Sequence, residues 1–277
     1  MPIVGMRDLL NVVQTRKTIA PAFNTTNLET TLAIMDGIEQ SKYPGIIQIA
    51  PTNVKLSGYS YISEIVKRSS NIYETPMSLH LDHGKGFEDI KMAVEAGFDS
   101  VMIDGAELDF ENNIKLTRRC VEYCRFFNIP VEAELGALAG KEDDQVNEED
   151  IKTDPTLVKE FVKESGCDLL AVSIGNVHGL GSEPSIDFEL LEKIKEESPV
   201  PLVLHGGSGI PNSLLREMPK YNVVKINIAS DLRRTFIQTI GRFYEKNNNE
   251  HNLIKVLMAA KESVTSSVAA KTREIND

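Results

Sequence analysis

Short apolar runs alternate along the chain with longer segments whose apolar residues recur at helical spacing. Each run is rich in Val, Ile, Leu or Met and stops at a polar residue or glycine, a pattern typical of buried parallel strands. The pattern predicts strands at Thr18–Phe23, Gly45–Ala50, Met77–Gly84, Phe98–Ile103, Pro130–Leu135, Asp168–Ile174, Pro201–Leu204 and Asn222–Ile228.

A helical segment follows each predicted strand, although a polar loop at residues 136–153 first intervenes after the fifth. Asn27 and the Asp154-Pro155 pair are helix-start signals. The predicted helices are Leu28–Gln40, Tyr61–Ser69, Phe87–Ala96, Phe110–Phe127, Asp154–Glu164, Asp187–Glu197, Pro211–Met218 and Leu232–Tyr244, with Met6–Thr15 before them and Leu253–Ile275 after them.

This alternation predicts an α/β fold, a (β/α)8 TIM barrel with a short N-terminal helix and a C-terminal helical extension, as a single domain over residues 1–277. A doubly wound open sheet is the alternative. Polar groups end nearly every predicted strand; they would form a line in an open sheet, whereas in a barrel they converge. We therefore favour the barrel. These groups are Asn24, Asp82, His83, Asp104, Glu134, His178, His205, Asn227 and Ser230.

Three of the five histidines lie at strand ends beside glycine: His83, His178 and His205. A single such histidine is more often a packing or loop residue. Three that converge suit a zinc ion that keeps an open coordination position, as catalytic zinc does. We therefore predict a metal site. For His80, inside the third predicted strand, we expect a supporting role instead of ligation.

Four carboxylates are candidates for the chemistry around this site. Asp82 directly precedes His83 and could transfer a proton to or from a hydroxyl near the metal, or merely orient a histidine. Asp104 and Glu134, at neighbouring strand ends, are candidate metal contacts. Glu142 lies in the polar loop, and such loops often act as lids.

A glycine-rich segment after the seventh predicted strand, residues 206–209, precedes a helix and exposes backbone N–H groups. The segment at Asn227 to Ser230 supplies a second helix start beside it. Loops after strands seven and eight of such barrels commonly hold a phosphate, which we predict here. Gly206, Ser208, Asn227 and Ser230 are the candidate binding residues, and we add Asn24 from the first strand end.

Composition excludes several function classes. The formal net charge is −11 without a compensating Lys/Arg cluster, which argues against a nucleic-acid partner. No run of 18 apolar residues and no secretory signal is present, so we expect neither a membrane span nor export. The three cysteines are expected to be buried, reduced thiols, and a cytoplasmic location is the default expectation.

Six segments together resemble the class II, metal-dependent ketose-bisphosphate aldolases, in register over essentially the whole chain. They are His80-Leu81-Asp82-His83-Gly84, Val101-Met102-Ile103-Asp104, Val131-Glu132-Ala133-Glu134-Leu135-Gly136, Gly175-Asn176-Val177-His178-Gly179, Leu204-His205-Gly206-Gly207-Ser208-Gly209 and Lys225-Ile226-Asn227-Ile228. The compact length is similar to the branch that holds tagatose-bisphosphate and many bacterial fructose-bisphosphate aldolases.

The resemblance implies reversible cleavage of a ketose 1,6-bisphosphate, fructose or tagatose type, to dihydroxyacetone phosphate and glyceraldehyde 3-phosphate, in a homodimer or homotetramer. It assigns zinc to the three histidines, a second-site or transient metal contact to Glu134, the C4 hydroxyl proton to Asp82 and the proton of the dihydroxyacetone phosphate carbon to Glu142. A monovalent cation, Na⁺ or K⁺, would assist the residues that hold dihydroxyacetone phosphate: Gly179, Gly206, Ser208, Asn227 and Ser230.

Some positions depart from the family pattern, and they concern the far end of the substrate. Ala50 stands where Ser is common, Ala106-Glu107 where Ser-His is frequent, and the Tyr-Lys usual after Gly179 is missing from a shorter loop. Another phosphorylated ketose, such as a deoxy-ketogluconate phosphate, is therefore the alternative substrate. A metal-dependent barrel hydrolase would usually carry His-x-His after the first strand, where this chain has Phe23-Asn24. Lys225 is expected to be structural or electrostatic, because zinc chemistry requires no Schiff base.

Overall fold

The computed structural model describes residues 2–138, 140–142, 145–147, 151–177, 179 and 184–277. Eight parallel strands close into a barrel in the order β1-β10-β9-β8-β5-β4-β3-β2, and β6 pairs with β7 as a separate antiparallel hairpin. The strands are β1 (Ala20–Asn24), β2 (Gly45–Ile49), β3 (Met77–Gly84), β4 (Ser100–Ile103), β5 (Val131–Leu135), β6 (Gly140–Glu142), β7 (Gln145–Asn147), β8 (Leu169–Val172), β9 (Leu202–Leu204) and β10 (Val223–Ile228). The closed order confirms the predicted barrel and excludes the open sheet.

Helices flank the barrel and extend past it at both ends of the chain. They are α1 (Met6–Arg16), α2 (Leu28–Ser41), α3 (Pro51–Ser57), α4 (Tyr59–Ser69), α5 (Phe87–Glu95), α6 (Phe110–Arg125), α7 (Pro155–Ser165), α8 (Phe188–Glu197), α9 (Asn212–Leu215), α10 (Ser230–Lys246) and α11 (Leu253–Asn276). In the described part of the chain, no helix is long and apolar enough to cross a membrane.

Three local predictions differ from the structure. Helix α3 was not predicted; Pro51 occupies its first turn, where a missing N–H costs nothing. The predicted polar loop at 136–153 contains the β6–β7 hairpin, whose strands are too short to show alternation. The helix predicted at Pro211–Met218 is shorter: α9 ends at Leu215 and a 3₁₀ turn begins at Met218.

The interior of the barrel divides into an apolar floor and a polar layer. Inward-facing side chains of several strands, among them Ala22, Ile46 and Val203, pack in one cluster with Leu9 and Val13 of α1, which covers the amino-terminal end. Above them, the buried polar residues of β1, β2, β3, β5 and β10 face the carboxyl end. The fold thereby gathers its polar chemistry at one end of the barrel.

Helices α2 and α11 pack unusually close. A Cβ at Gly37 of α2 would lie 2.5 Å from Val268 Cβ and 2.8 Å from the Thr265 carbonyl oxygen of α11. Only glycine therefore permits this approach without displacing a helix. One face of the second half of α11 is buried here, whereas α10 buries only Leu232 among its residues, all of which are described.

Candidate active site

A local distortion of β3 directs two consecutive side chains into the polar layer. Neighbouring residues of a strand normally point to opposite faces, but the pairing of β3 with β4 shifts register between Leu81 and Gly84. His83 adopts the left-handed conformation there, with φ at 47°, a cost of roughly 1–3 kcal/mol for a non-glycine residue. As a result, Asp82 and His83 both reach the centre of the barrel mouth.

The structure brings His83 and His205 together around Glu134. The two ring centroids lie 4.6 Å apart. His83 Nδ1 lies 3.9 Å and His205 Nδ1 lies 3.7 Å from Glu134 Oε2. His83 Nδ1 also contacts Asp104 Oδ2 at 2.9 Å, and Lys85 donates to the same oxygen at 2.7 Å. Two imidazoles and two carboxylates therefore converge at the ends of β3, β4, β5 and β9.

The charge of Asp104 is set by these neighbours. Burial on its own raises the pKa of this carboxyl, but the hydrogen bond from His83 and the Lys85 ammonium outweigh burial. The pKa consequently lies far below its usual range, and Asp104 is ionised at neutral pH. Asp104 thus supplies negative charge beside His83.

Asp82 is held between two asparagines. Asn24 Nδ2 donates to Asp82 Oδ2 and Asn227 Nδ2 donates to Asp82 Oδ1, each over 2.8 Å. Gln48 Nε2 in turn donates to Asn24 Oδ1 over 2.8 Å, from the neighbouring strand β2. Asp82 Oδ1 lies 3.9 Å from His83 Nε2. The carboxylate therefore has a fixed orientation next to the histidine pair.

Buried ionic residues lie beside this group. Lys225 Nζ lies 3.0 Å from Glu132 Oε2, and Glu132 Oε1 contacts His205 Nε2 at 3.0 Å. Burial favours the neutral acid, but the Lys225 ammonium and the His205 N–H lower the pKa of Glu132 below its usual range. For His80, burial and the Lys225 charge lower the pKa well below the ordinary value. Its Nδ1 contacts Ser100 Oγ at 2.7 Å, and its supporting role stays a prediction.

The glycine-rich segment forms a turn beside the start of α10. Gly206 has φ at +70°, and a Cβ there would overlap the Val177 carbonyl oxygen, so the position requires glycine. The backbone N–H of Asp231, in the first turn of α10, lies 3.4 Å from Ser208 Oγ, with Ser230 at the helix start. This juxtaposition places N–H groups and a hydroxyl at the barrel mouth, as an anion site requires.

Several predicted residues lie partly or wholly outside this description. His178 is outside the described residues, and so is the side chain of Glu142, whose backbone belongs to β6. Gly179 is described, with φ at +94°. The predicted third histidine ligand and lid acid therefore stay predictions.

Sequence reasoning did not assign site roles to Glu132, Gln48 and Lys85. Glu132 and Glu134 lie two residues apart on β5, so both side chains enter the barrel. That spacing was visible in the sequence. The partner of Glu132 is Lys225 on β10, and no sequence signal indicates that these two side chains meet. Lys85 lies in the loop directly after β3, where no sequence signal predicts which group it contacts.

Comparison with known proteins gives a consistent result over the whole length. Residues 4–277 match the family model described as fructose-bisphosphate aldolase class-II. The chain belongs to the class II fructose-bisphosphate aldolase family. It is 36% identical over 279 residues to the fructose-bisphosphate aldolase of Geobacillus stearothermophilus, covering 99% of this chain and 97% of that one. It is 35% identical to a probable fructose-bisphosphate aldolase of Bacillus subtilis, covering 99% and 98%.

Solved structures agree with this placement. The YdjI aldolase from Escherichia coli superposes with a TM-score of 0.86 at 30% identity, covering 99% of this chain and 97% of that one. A putative fructose-1,6-bisphosphate aldolase from Coccidioides immitis gives 0.85 at 28% identity, covering 98% and 95%. The protein is thus an aldolase, a carbon–carbon lyase of a metal-dependent family acting on sugar phosphates.

The donor set of this aldolase fits a divalent metal. Asp82, His83 and His205 each offer an atom within 4.8 Å of the others, and so do His83, Asp104 and Glu134. Zinc bonds of about 2.0–2.2 Å in a tetrahedral site place ligand atoms roughly 3.4 Å apart. The Nδ1 atoms of His83 and His205 lie 3.9 and 3.7 Å from Glu134 Oε2, a few tenths of an ångström longer. Small side-chain shifts, with loss of the proton that His83 Nδ1 donates to Asp104, would bring these atoms to the spacing of metal ligands.

Proposed function

We propose that this aldolase reversibly cleaves a ketose 1,6-bisphosphate of the fructose or tagatose type to dihydroxyacetone phosphate and glyceraldehyde 3-phosphate. The observation that carries the proposal is the placement of Asp82, fixed by Asn24 and Asn227, against the His83–His205 pair. A proton-transfer carboxylate next to metal-binding imidazoles is the combination that aldol cleavage needs.

We assign zinc to His83, His178 and His205, with Asp104 and Glu134 as further contacts. When bound, the metal supplies a Lewis acid for the ketone oxygen. The protein's own residues orient and move protons: Asp82 removes the proton of the C4 hydroxyl as the C3–C4 bond breaks. We assign the proton on the dihydroxyacetone phosphate carbon to Glu142. The negative charge of the ionised Asp104 favours binding of a cation in this buried site.

We assign the dihydroxyacetone phosphate end to the turn at Gly206 and Ser208 and to the start of α10 at Ser230. The α10 helix has 17 residues, so its N-terminal N–H groups and dipole favour a phosphate. Gly179 and a monovalent cation, Na⁺ or K⁺, complete the assignment. We assign Asn24 and Asn227 to the substrate site, where they hold Asp82 and lie beside the substrate.

Metal removal and a substrate panel test this proposal. Dialysis against a chelator should abolish cleavage, and zinc or cobalt should restore it. Release of dihydroxyacetone phosphate is then measured from fructose bisphosphate, tagatose bisphosphate and the corresponding 1-phosphates. Activity that survives chelation and is trapped by borohydride would implicate a lysine imine and contradict the proposal.

A second substrate class is supported by Ala50. This residue ends the β2 region and precedes Pro51 of α3, and it offers no hydroxyl to a phosphate on the aldehyde side. A phosphorylated ketose without that second phosphate, such as a deoxy-ketogluconate phosphate, would then be preferred. A higher kcat/KM for 1-phosphates than for bisphosphates in the same panel would establish this alternative.

We also propose that the chain self-associates through α10 and the first turns of α11, as a homodimer or homotetramer. Five apolar side chains there are 64–71% exposed: Ile237, Tyr244, Leu253, Ile254 and Met258. Exposed apolar side chains grouped on neighbouring helices are typical of an interaction surface. Ile237→Lys with Ile254→Lys should give a monomer by light scattering, and a parent that is itself monomeric would refute the assignment. A cytoplasmic location stays a prediction.

A further inference from the structure

Lys225 and Glu132 form an ion pair inside the barrel that the proposed reaction does not use. Both side chains are fully buried, and Lys225 Nζ lies 3.0 and 3.2 Å from the two Glu132 oxygens. Their strands, β10 and β5, are separated by β9 and β8, so the pair crosses the barrel interior. Buried pairs of this kind often contribute little net stability, which leaves their presence to be explained by what else they contact.

One contact of the pair selects a tautomer. Glu132 is ionised and accepts only, so at its 3.0 Å contact a neutral His205 must carry the proton on Nε2. In the neutral imidazole the Nδ1 atom, 3.7 Å from Glu134 Oε2, then keeps its lone pair, which is the form that a metal requires. Asn176 further fixes this residue by donating to the His205 carbonyl over 3.0 Å.

The other contact of the pair selects an amide orientation. An ammonium group donates and cannot accept, so the oxygen of Asn227 must face Lys225, as the 2.7 Å distance shows. The amide nitrogen of Asn227 is thereby turned towards Asp82, to which it donates over 2.8 Å. Lys225 can only donate, so the orientation of the Asn227 amide between Lys225 and Asp82 is fixed.

We propose that Lys225 and Glu132 act as one positioning pair, which sets the His205 tautomer for the metal and the Asn227 amide for Asp82 together. This inference rests on the proposed function, because it takes His205 as a ligand and Asp82 as the proton-transfer group. The pair couples the two halves of the site: the same ammonium that balances Glu132 also orders the asparagine that holds Asp82.

Glu132→Gln separates this role from a structural one. Gln has a single acceptor oxygen, which Lys225 should attract, so its amide group turns towards His205 Nε2. His205 then has to accept at Nε2 and carry its proton on Nδ1. We expect the ¹⁵N chemical shifts of His205 in the metal-free protein to report this switch, and the zinc Kd to weaken about 10- to 100-fold.

The double variant Glu132→Gln/Lys225→Met supplies the second comparison. With Lys225 gone, the Gln oxygen can again accept from His205, so the tautomer and the zinc Kd should return to within about threefold of the parent. The cleavage rate should stay at least tenfold low at saturating zinc and substrate, because Asn227 has lost its donor. Asp36→Asn, which breaks the Lys261 ion pair between α2 and α11, is the control and should change neither the zinc Kd nor the His205 shifts.

Two results overturn the inference: a Glu132→Gln protein with the parental His205 tautomer and zinc Kd, or a double variant with the full parental cleavage rate. If the parent itself binds no zinc, the proposed function fails instead. The tautomer measurement uses metal-free protein and still tests the role of the pair in that case.

Discussion

Replacing Asp82 by Asn changes one atom and tests the assigned proton transfer directly. The carboxylate accepts one amide N–H on each oxygen, from Asn24 and from Asn227. The amide of Asn has the same shape but only one acceptor oxygen, and it cannot take up a hydroxyl proton at neutral pH. The variant therefore keeps the volume of the site while it removes the base.

We expect one effect on the cleavage rate and one on stability. Loss of a positioned general base should lower kcat by about 10²- to 10⁴-fold, or roughly 2.7–5.4 kcal/mol in the barrier. One amide donor loses its acceptor, which costs about 1–3 kcal/mol of stability, partly offset because a buried charge is removed. For a chain of this length the melting temperature should fall by no more than about 10 °C.

The assay is release of dihydroxyacetone phosphate, together with zinc content after gel filtration. Asp99→Asn is the matched control: Asp99 is a largely buried carboxyl that accepts the Leu79 backbone N–H and lies at the start of β4, away from the site. It should leave kcat unchanged. Because Asp82 lies close enough to His83 and His205 to ligate, loss of zinc from Asp82→Asn would show that it is a ligand, and a kcat loss below tenfold would remove it from the proton transfer.

Two predictions concern stability. Burial raises the pKa of Asp99 from 3.8 to about 6, so the native state holds this proton more tightly than the unfolded chain. The contribution of Asp99 to stability should therefore fall by up to ~3 kcal/mol as pH rises from about 4 to 6. In urea titrations, the advantage of Asp99→Asn over the parent should grow across this window and stay constant above it; a constant difference at every pH would contradict the assignment. Gly37→Ala gains about 1 kcal/mol in helix propensity but overpacks against Val268 by about 1–3 kcal/mol, so we expect a net loss of about 1 kcal/mol, reduced in a Val268→Ala background. A melting temperature raised by Gly37→Ala alone would show that α2 and α11 separate freely.

The barrel itself was predictable because its signals are local. Each strand is a short buried run, and helix starts such as Asn27 carry their own side-chain caps: Asn27 forms a capping box with Thr30. The placement of Asp82 and His83 at one strand end also follows from the sequence, because Gly84 follows them.

The contacts across the barrel were not predictable. Glu132 meets Lys225 only because the sheet closes, and closure depends on the register of all eight barrel strands at once. The sequence predicts that His83 reaches the site, but it does not show how: strict alternation would point His83 away from Asp82, and the register shift between Leu81 and Gly84 turns it inward. A backbone irregularity of one residue, undetectable in a hydrophobicity pattern, produces the close histidine pair.

The α1 helix at the amino-terminal end of the barrel has a consequence for how solvent moves during turnover. Because Leu9 and Val13 pack in the apolar cluster at that end, the described residues separate the polar layer from solvent below it. We therefore expect water displaced by an arriving sugar to leave at the carboxyl end of the barrel. Removing the first thirteen residues would expose the amino-terminal end of the barrel to solvent. Hydrogen–deuterium exchange should then become faster at the amino-terminal ends of β3 and β5 and stay unchanged at their carboxyl ends.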